Sequence, residues 1–167
     1  MTTVLASNEP AAAPATKRIS ILITDDQAVI RNGLRSLLGE EPDMEIVGEA
    51  ENGMEAVDLA RKLVPDVVIM DLAMPVLSGL EATRQILAIL PNTKIIIFSS
   101  YTDYAYIEEV IRLGAVGSLV KHAASRDLPK AVRQVCEGKT FFTAGRGTTV
   151  KPSSAATGNA GDTALAS

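Results

Sequence analysis

Three aspartates, a serine and a lysine stand out by type and spacing: Asp25 and Asp26 in "ILITDDQAV", Asp71 in "VVIMDLAMP", Ser99 in "KIIIFSS" and Lys121 in "GSLVKHA". Each closes a short run of apolar residues, so each is offered at the end of a stretch that otherwise reads as buried strand. Carboxylates crowded together repel one another and rise in pKa unless a cation joins them. Mg²⁺ suits such a cluster, because it takes an octahedron of oxygens and is usually held by one or two carboxylates, waters and a phosphate. Asp26 and Asp71 are then the natural direct ligands, Asp25 acts through water, and the backbone carbonyl of Ala73 completes the protein's share. Asp71, presented singly, is placed as a carboxylate nucleophile toward a phosphoryl group, giving an acyl phosphate. Mg²⁺ and Lys121 would offset charge on the phosphoryl oxygens while the Ser99 hydroxyl donates to one of them.

Whether these residues meet depends on the elements that carry them. Short apolar runs at 18–24, 44–50, 65–71, 94–100 and 116–121 alternate with helical patterns at 28–38, 53–63, 78–90, 101–114 and 125–138. Val29, Ile30, Leu34, Leu37 and Leu38 fall on one face of the first helix; Met54, Val57, Leu59, Ala60 and Leu63 are the apolar positions of the second. Five βα units in alternation predict an α/β fold with a parallel, five-stranded, doubly wound sheet in the flavodoxin-like order 2-1-3-4-5. The unbroken apolar strands at 67–70 and 95–98 agree, since a strand covered on both faces has no polar side. Ligands of such sheets bind beyond the carboxyl ends of the strands, where the strand order reverses. All five residues above lie at those ends. Taken singly they have plainer readings: "TDD" as a helix N-cap, Asp71 as a loop cap, Lys121 as a surface lysine.

The flanks differ in composition. Residues 1–16 are rich in Ala, Thr and Pro, and 144–167 are rich in Gly, Ala, Ser and Thr, so both read as disordered tails around a domain at 17–143. The formal net charge of -4 argues against nonspecific nucleic-acid binding. The N-terminus lacks a basic, then apolar, leader pattern and no run has the length of a membrane helix, which predicts a cytoplasmic protein. Cys136 and His122 are each the sole residue of their type, leaving no intrachain disulfide and no zinc cluster. Cys136 is expected in the core on the apolar side of the last helix, and His122 as a solvated neighbour of Lys121. "EGKT" at 137–140 resembles the end of a P-loop, but Arg133 stands where a glycine is required and the segment leaves a helix instead of a strand.

Together "ILITDDQAVIRNGLRSLL", "EEPDMEIVGEAENGMEAV", "PDVVIMDLAMPVLSGLEATRQI", "KIIIFSS" and "LGAVGSLVKHAA" resemble a response-regulator receiver domain, with wording nearest the NarL/FixJ group, over residues 18–142. The resemblance implies Asp71 as phosphoacceptor, Asp25 and Asp26 as the acidic pair, Ser99 as the switch hydroxyl and Lys121 as the family's lysine. It further implies Mg²⁺ as cofactor, a sensor histidine kinase or histidine phosphotransfer protein as donor, and output through helix four, strand five and helix five. Homodimers occur among such domains. Two departures stand out. Ser118 occupies the place of the usual Tyr or Phe, with Tyr101 or Tyr104 as a substitute ring. The residues after Phe142 are too few and too polar for the LuxR-type helix-turn-helix that usually follows, which predicts a stand-alone receiver without direct DNA binding, acting on an unknown output protein.

Other classes compete. A phosphorylation-independent interaction module is kept open by Ser118. An aspartyl-phosphate phosphatase needs a second acid two residues past its nucleophile, and that residue is Ala73, so no turnover of an external substrate is expected. Ala73 also has no side-chain group to orient an attacking water, and Tyr101 would screen the acyl phosphate, which together predict slow autodephosphorylation. A flavodoxin-like electron carrier would set three acids against its flavin phosphate.

Overall fold

The computed structural model describes residues 16–100, 104–122, 126–144 and 148–149; side chains at 104, 144, 148 and 149 are outside that description. The alternation predicted from sequence is present as β1 (Ile19–Thr24), α1 (Ala28–Gly39), β2 (Met44–Ala50), α2 (Gly53–Leu63), β3 (Val67–Met70), α3 (Gly79–Ile89), β4 (Lys94–Ser99), α4 (Tyr104–Leu113), β5 (Gly117–Val120) and α5 (Leu128–Cys136). Two strands follow, β6 (Phe141–Ala144) and β7 (Thr148–Thr149). The sheet order is β2-β1-β3-β4-β5-β6-β7, with β7 antiparallel to β6 and the other pairs parallel.

The expected order of the first five strands is therefore found, but the five-strand count is corrected: among the described residues six strands run parallel. Phe141 and Phe142 lie beside Gly117 and Ser118, and Phe141 N–H donates to the Val116 carbonyl at 2.9 Å. Burying two phenylalanines on the exposed edge of β5 stabilises a strand too short to show periodicity. The β7 pair falls within the stretch read from composition as a tail.

Both sheet faces are covered, which is why the strands lack a polar side. On one, Ile21, Ile23, Val67, Ile69, Ile96, Phe98 and Leu119 meet Leu34 and Leu38 of α1 and Leu128, Val132 and Val135 of α5. On the other, Leu22, Val68, Met70, Ile95 and Ile97 meet Ala56 and Ala60 of α2, Ala82 and Ile86 of α3 and Val110 of α4. The alanines let α2 and α3 lie close to the sheet. Asn52 and Ser78 cap these helices, accepting from the N–H groups of Glu55 and Glu81.

Four apolar assignments change. Val29, Met54 and Leu63 are 72%, 55% and 38% exposed instead of facing the core. Val29 lies on the opposite side of α1 from Leu38, and Met54 and Leu63 flank the Gly53, Ala56, Val57 and Ala60 face of α2 instead of lying on it. Cys136, the last residue of α5, is exposed at the opposite rim and not in the core. His122 is exposed, as expected. No described helix is long and apolar enough to cross a membrane.

Candidate functional site

The register brings the acids together. Thr24 pairs with Met70, so the two chains leave β1 and β3 side by side, and the Asp71 N–H donates to the Thr24 carbonyl at 2.9 Å. This is also where the order reverses, β1 having β2 on one side and β3 on the other. Asp25, Asp26 and Asp71 each place a carboxylate oxygen within 4.8 Å of the others; Asp25 and Asp71 are buried, and Asp26 is exposed. Lys121 reaches in from the end of β5, its Nζ 2.6 Å from Asp25 Oδ2 and 3.4 Å from Asp71 Oδ2. The main chain of β5 is set there by Lys121 N–H donating to the Ser99 carbonyl at 3.0 Å, and Ser99 itself is buried at the end of β4.

Burial pushes the Asp71 pKa up from its ordinary 3.8. The Lys121 ammonium pulls it back down, the Asp25 charge adds to the rise, and the Ala73 N–H, which bonds the carboxylate, lowers it; the net shift is upward. The contact the structure records for Ala73 is thus its N–H on Asp71, while the sequence assigned it a carbonyl toward metal. Asp25 Oδ1 accepts from the Gln27 N–H at 2.9 Å. Asp25 Oδ2 is paired with the Lys121 ammonium at 2.6 Å and has no second donor. Three carboxylates gathered about one ammonium leave negative charge in excess, and an all-oxygen donor set of that kind fits a hard cation.

The loop after Asp71 holds the site from below. Gly79 N–H donates to the Leu72 carbonyl at 3.0 Å, and a Cβ at this position would overlap the Asp71 carbonyl oxygen, so only glycine permits the approach of α3. The Leu77 N–H turns back to the Pro75 carbonyl at 2.8 Å around Val76, whose φ is 69°.

The sequence reading did not single out Arg31. Its guanidinium is inside the fold: Nη1 donates to the Asp25 carbonyl at 2.7 Å, Nη2 to Glu51 Oε1 at 2.8 Å, and Nε lies 3.4 Å from Glu49 Oε2. The available signal was its position: Arg31 shares the buried stripe of α1 with Leu34 and Leu38, where a charge needs a partner. Ser118 is buried, accepts from Thr143 Oγ1 at 3.2 Å through its carbonyl, and has Phe142 as its neighbour on β6. Tyr101 and the Tyr104 side chain, named as substitute rings, lie outside the described residues.

A parallel, doubly wound sheet with three acids and a lysine at its switch point defines a flavodoxin-like α/β protein of the receiver kind. The response regulator receiver domain family matches residues 21–133, and the chain belongs to that family. Curated relatives are regulators. The oxygen regulatory protein NreC of Staphylococcus carnosus is 44% identical over 125 residues, 74% of this chain and 58% of that protein. The transcriptional regulatory protein LnrK of Bacillus subtilis is 41% identical over 120 residues, 72% of this chain and 54% of that protein. The chain spans a little over half the length of these relatives. Among solved structures, the response regulator domain of Thermotoga maritima CheB superposes with TM-score 0.68 at 33% identity, covering 72% of this chain and 98% of that one. The isolated receiver domain of RcsB from Salmonella enterica serovar Typhimurium, solved with the phosphomimetic BeF3-, gives TM-score 0.71 at 28% identity, covering 76% and 94%.

Proposed function

We propose that this receiver accepts a phosphoryl group on Asp71 from a histidine kinase or histidine phosphotransfer protein in the cytoplasm and thereby changes its contacts with an output protein. The observation that carries this is the placing of the Lys121 ammonium 2.6 Å and 3.4 Å from two buried carboxylates that also lie against Asp26. Asp25, Asp26 and Asp71 would hold Mg²⁺, whose charge would offset that of the incoming phosphoryl oxygens. An Asp71 carboxylate oxygen forms a bond to phosphorus as the bond from phosphorus to the donor's imidazole nitrogen breaks, and the donor histidine keeps the electron pair. Lys121 binds a phosphoryl oxygen and the Ser99 hydroxyl donates to another. Ala73 supplies no acid for turnover of an external substrate. The receiver runs from about residue 17 through β6, because Phe141 and Phe142 are buried in it.

Ser118, where the family's aromatic ring is expected, favours a second reading as an interaction module that works without phosphorylation. Acetyl phosphate with Mg²⁺, read by intact mass on wild type and Asp71→Asn, separates the two. A single phosphoryl adduct on wild type alone supports the switch. Its absence, together with no beryllofluoride binding, would sink that reading in favour of the module.

A further inference from the structure

Arg31 is 8% exposed, although it carries a charge and begins no loop. It lies six positions past Asp25, far enough along α1 for its fork to reach back over the first turn to the Asp25 carbonyl, where Nη1 donates at 2.7 Å. The remaining nitrogens are taken up at the end of β2, the strand that gives nothing to the acid cluster: Nη2 meets Glu51 Oε1 at 2.8 Å and Nε lies 3.4 Å from Glu49 Oε2. Glu49 is held in turn by Arg35 Nε at 2.6 Å. The guanidinium charge is therefore paired with carboxylates at the end of β2, and its recorded contact with the acid cluster is the hydrogen bond to the Asp25 carbonyl.

The acceptor is the carbonyl of the peptide that joins Asp25 to Asp26. Its orientation sets the directions in which both side chains leave the main chain, and the same turn is fixed at its other points by Asp25 N–H on the Ala50 carbonyl at 3.1 Å and Gln27 N–H on Asp25 Oδ1 at 2.9 Å. We propose that Arg31 is a positioning residue for the Mg²⁺ site, fixing the Asp25–Asp26 peptide so that both carboxylates converge with Asp71. This inference rests on the reading of Asp25, Asp26 and Asp71 as that site. Groups that hold metal ligands in place typically control affinity by about 10- to 100-fold. A lysine can replace one donor of the fork but not its planar geometry.

The test follows Mg²⁺ binding by amide NMR shifts on the full chain, and separately the Mg²⁺ dependence of phosphorylation by acetyl phosphate. Arg31→Met is expected to weaken Mg²⁺ by about tenfold or more and raise the Mg²⁺ needed for half-maximal phosphorylation by the same factor. The rate at saturating Mg²⁺ should stay within about twofold, because no reacting atom is touched. Arg31→Lys is expected to recover part of the affinity, and it carries the test should the methionine variant fail to fold. Glu51→Gln removes an ion pair whose glutamate is 67% exposed but leaves the fork on Asp25, so affinity should change by less than about threefold. Wild-type Mg²⁺ affinity in both Arg31 variants, or an equal loss in Glu51→Gln, would overturn the inference and leave Arg31 a structural clasp. A wild type that binds no Mg²⁺ would overturn the site reading and this inference with it, and that result is visible before any variant is made.

Discussion

Replacing Lys121 with methionine keeps the length of the side chain and removes its charge from between two buried carboxylates. Lys121 Nζ stands 2.6 Å from Asp25 Oδ2 and 3.4 Å from Asp71 Oδ2, with side chains 7%, 1% and 4% exposed. At an effective dielectric of about 20 these contacts give roughly 6 and 5 kcal/mol of gross attraction, much of it offset by taking the charges out of water. Without the ammonium, carboxylate oxygens within 4.8 Å of one another repel by at least about 3 kcal/mol at the same dielectric. A proton limits the damage. Loading one onto a carboxyl of ordinary pKa 3.8 costs about 4 kcal/mol at pH 7 and under about 2 kcal/mol at pH 5. The expected loss of stability is therefore about 3 to 4 kcal/mol at pH 7 and less than about 2 kcal/mol at pH 5, the deficit narrowing as pH falls because the carboxylates neutralise more cheaply. Saturating Mg²⁺ should restore part of it at pH 7 by supplying the missing positive charge. Urea unfolding followed by circular dichroism at both pH values, with and without Mg²⁺, measures all of this. Equal losses at pH 7 and pH 5 with no response to Mg²⁺ would refute the reasoning and assign the lysine a packing role only.

Asp71→Asn tests the same field from the other side. Because burial raises the Asp71 pKa, its contribution to stability is fully present below 3.8 and is lost as pH rises through the raised value; without Mg²⁺ the variant should be more stable than wild type at pH 7, with the gain gone below pH 3.8. Val64 ends α2 at φ 46°, a left-handed conformation that costs a β-branched residue about 1 kcal/mol or more. Val64→Gly should therefore raise Tm by about 3 °C in differential scanning calorimetry, and a fall would show that the strain is compensated elsewhere. Phe142→Ala should destabilise by about 3 kcal/mol in urea, since its ring is buried where β6 covers β5; a change near zero would place β6 outside the folded core. Ala73→Asn should speed loss of the phosphoryl group about tenfold by giving the attacking water a partner, read by intact mass over time; an unchanged decay would remove Ala73 from any account of lifetime.

The path from sequence to site was short where the physics is local. A run such as "VVIMD" states its own burial, and a charge at its end has few places to go except the rim of a sheet. Alternation of such runs with amphipathic helices leaves a parallel sheet as the arrangement that buries both faces, and its connection rules then set β1 beside β3. The meeting of Asp25, Asp26 and Asp71 was legible for that reason, and the placing of Lys121 and Ser99 at the ends of β5 and β4 by the same argument. An apolar residue within a helical pattern, however, belongs to the buried face only where the period of 3.6 puts it there. Val29 and Met54 are apolar and still face solvent, because a helical turn of 3.6 residues carries them away from the Arg31, Leu34 and Leu38 face of α1 and the Ala56, Val57 and Ala60 face of α2.

What only the tertiary structure decided are contacts between residues far apart in the chain or too few to form a pattern. The strand at Phe141–Ala144 exists because the edge of β5 is there to receive it; four residues beside a Gly- and Ser-rich segment carry no periodic signal of their own. Lys121 lies nearer to Asp25 than to Asp71, an outcome of how β5 is set against β4 and not of sequence spacing. Arg31 looks like an ordinary helical arginine until Glu49 and Glu51 at the end of β2 and the Asp25 carbonyl are seen closing around it. Sequence determined which residues carry charge and which segments must be buried, since both follow from local chemistry. The partner of each charge was fixed only by packing, because burying a charge costs several kcal/mol unless the fold brings its complement within reach.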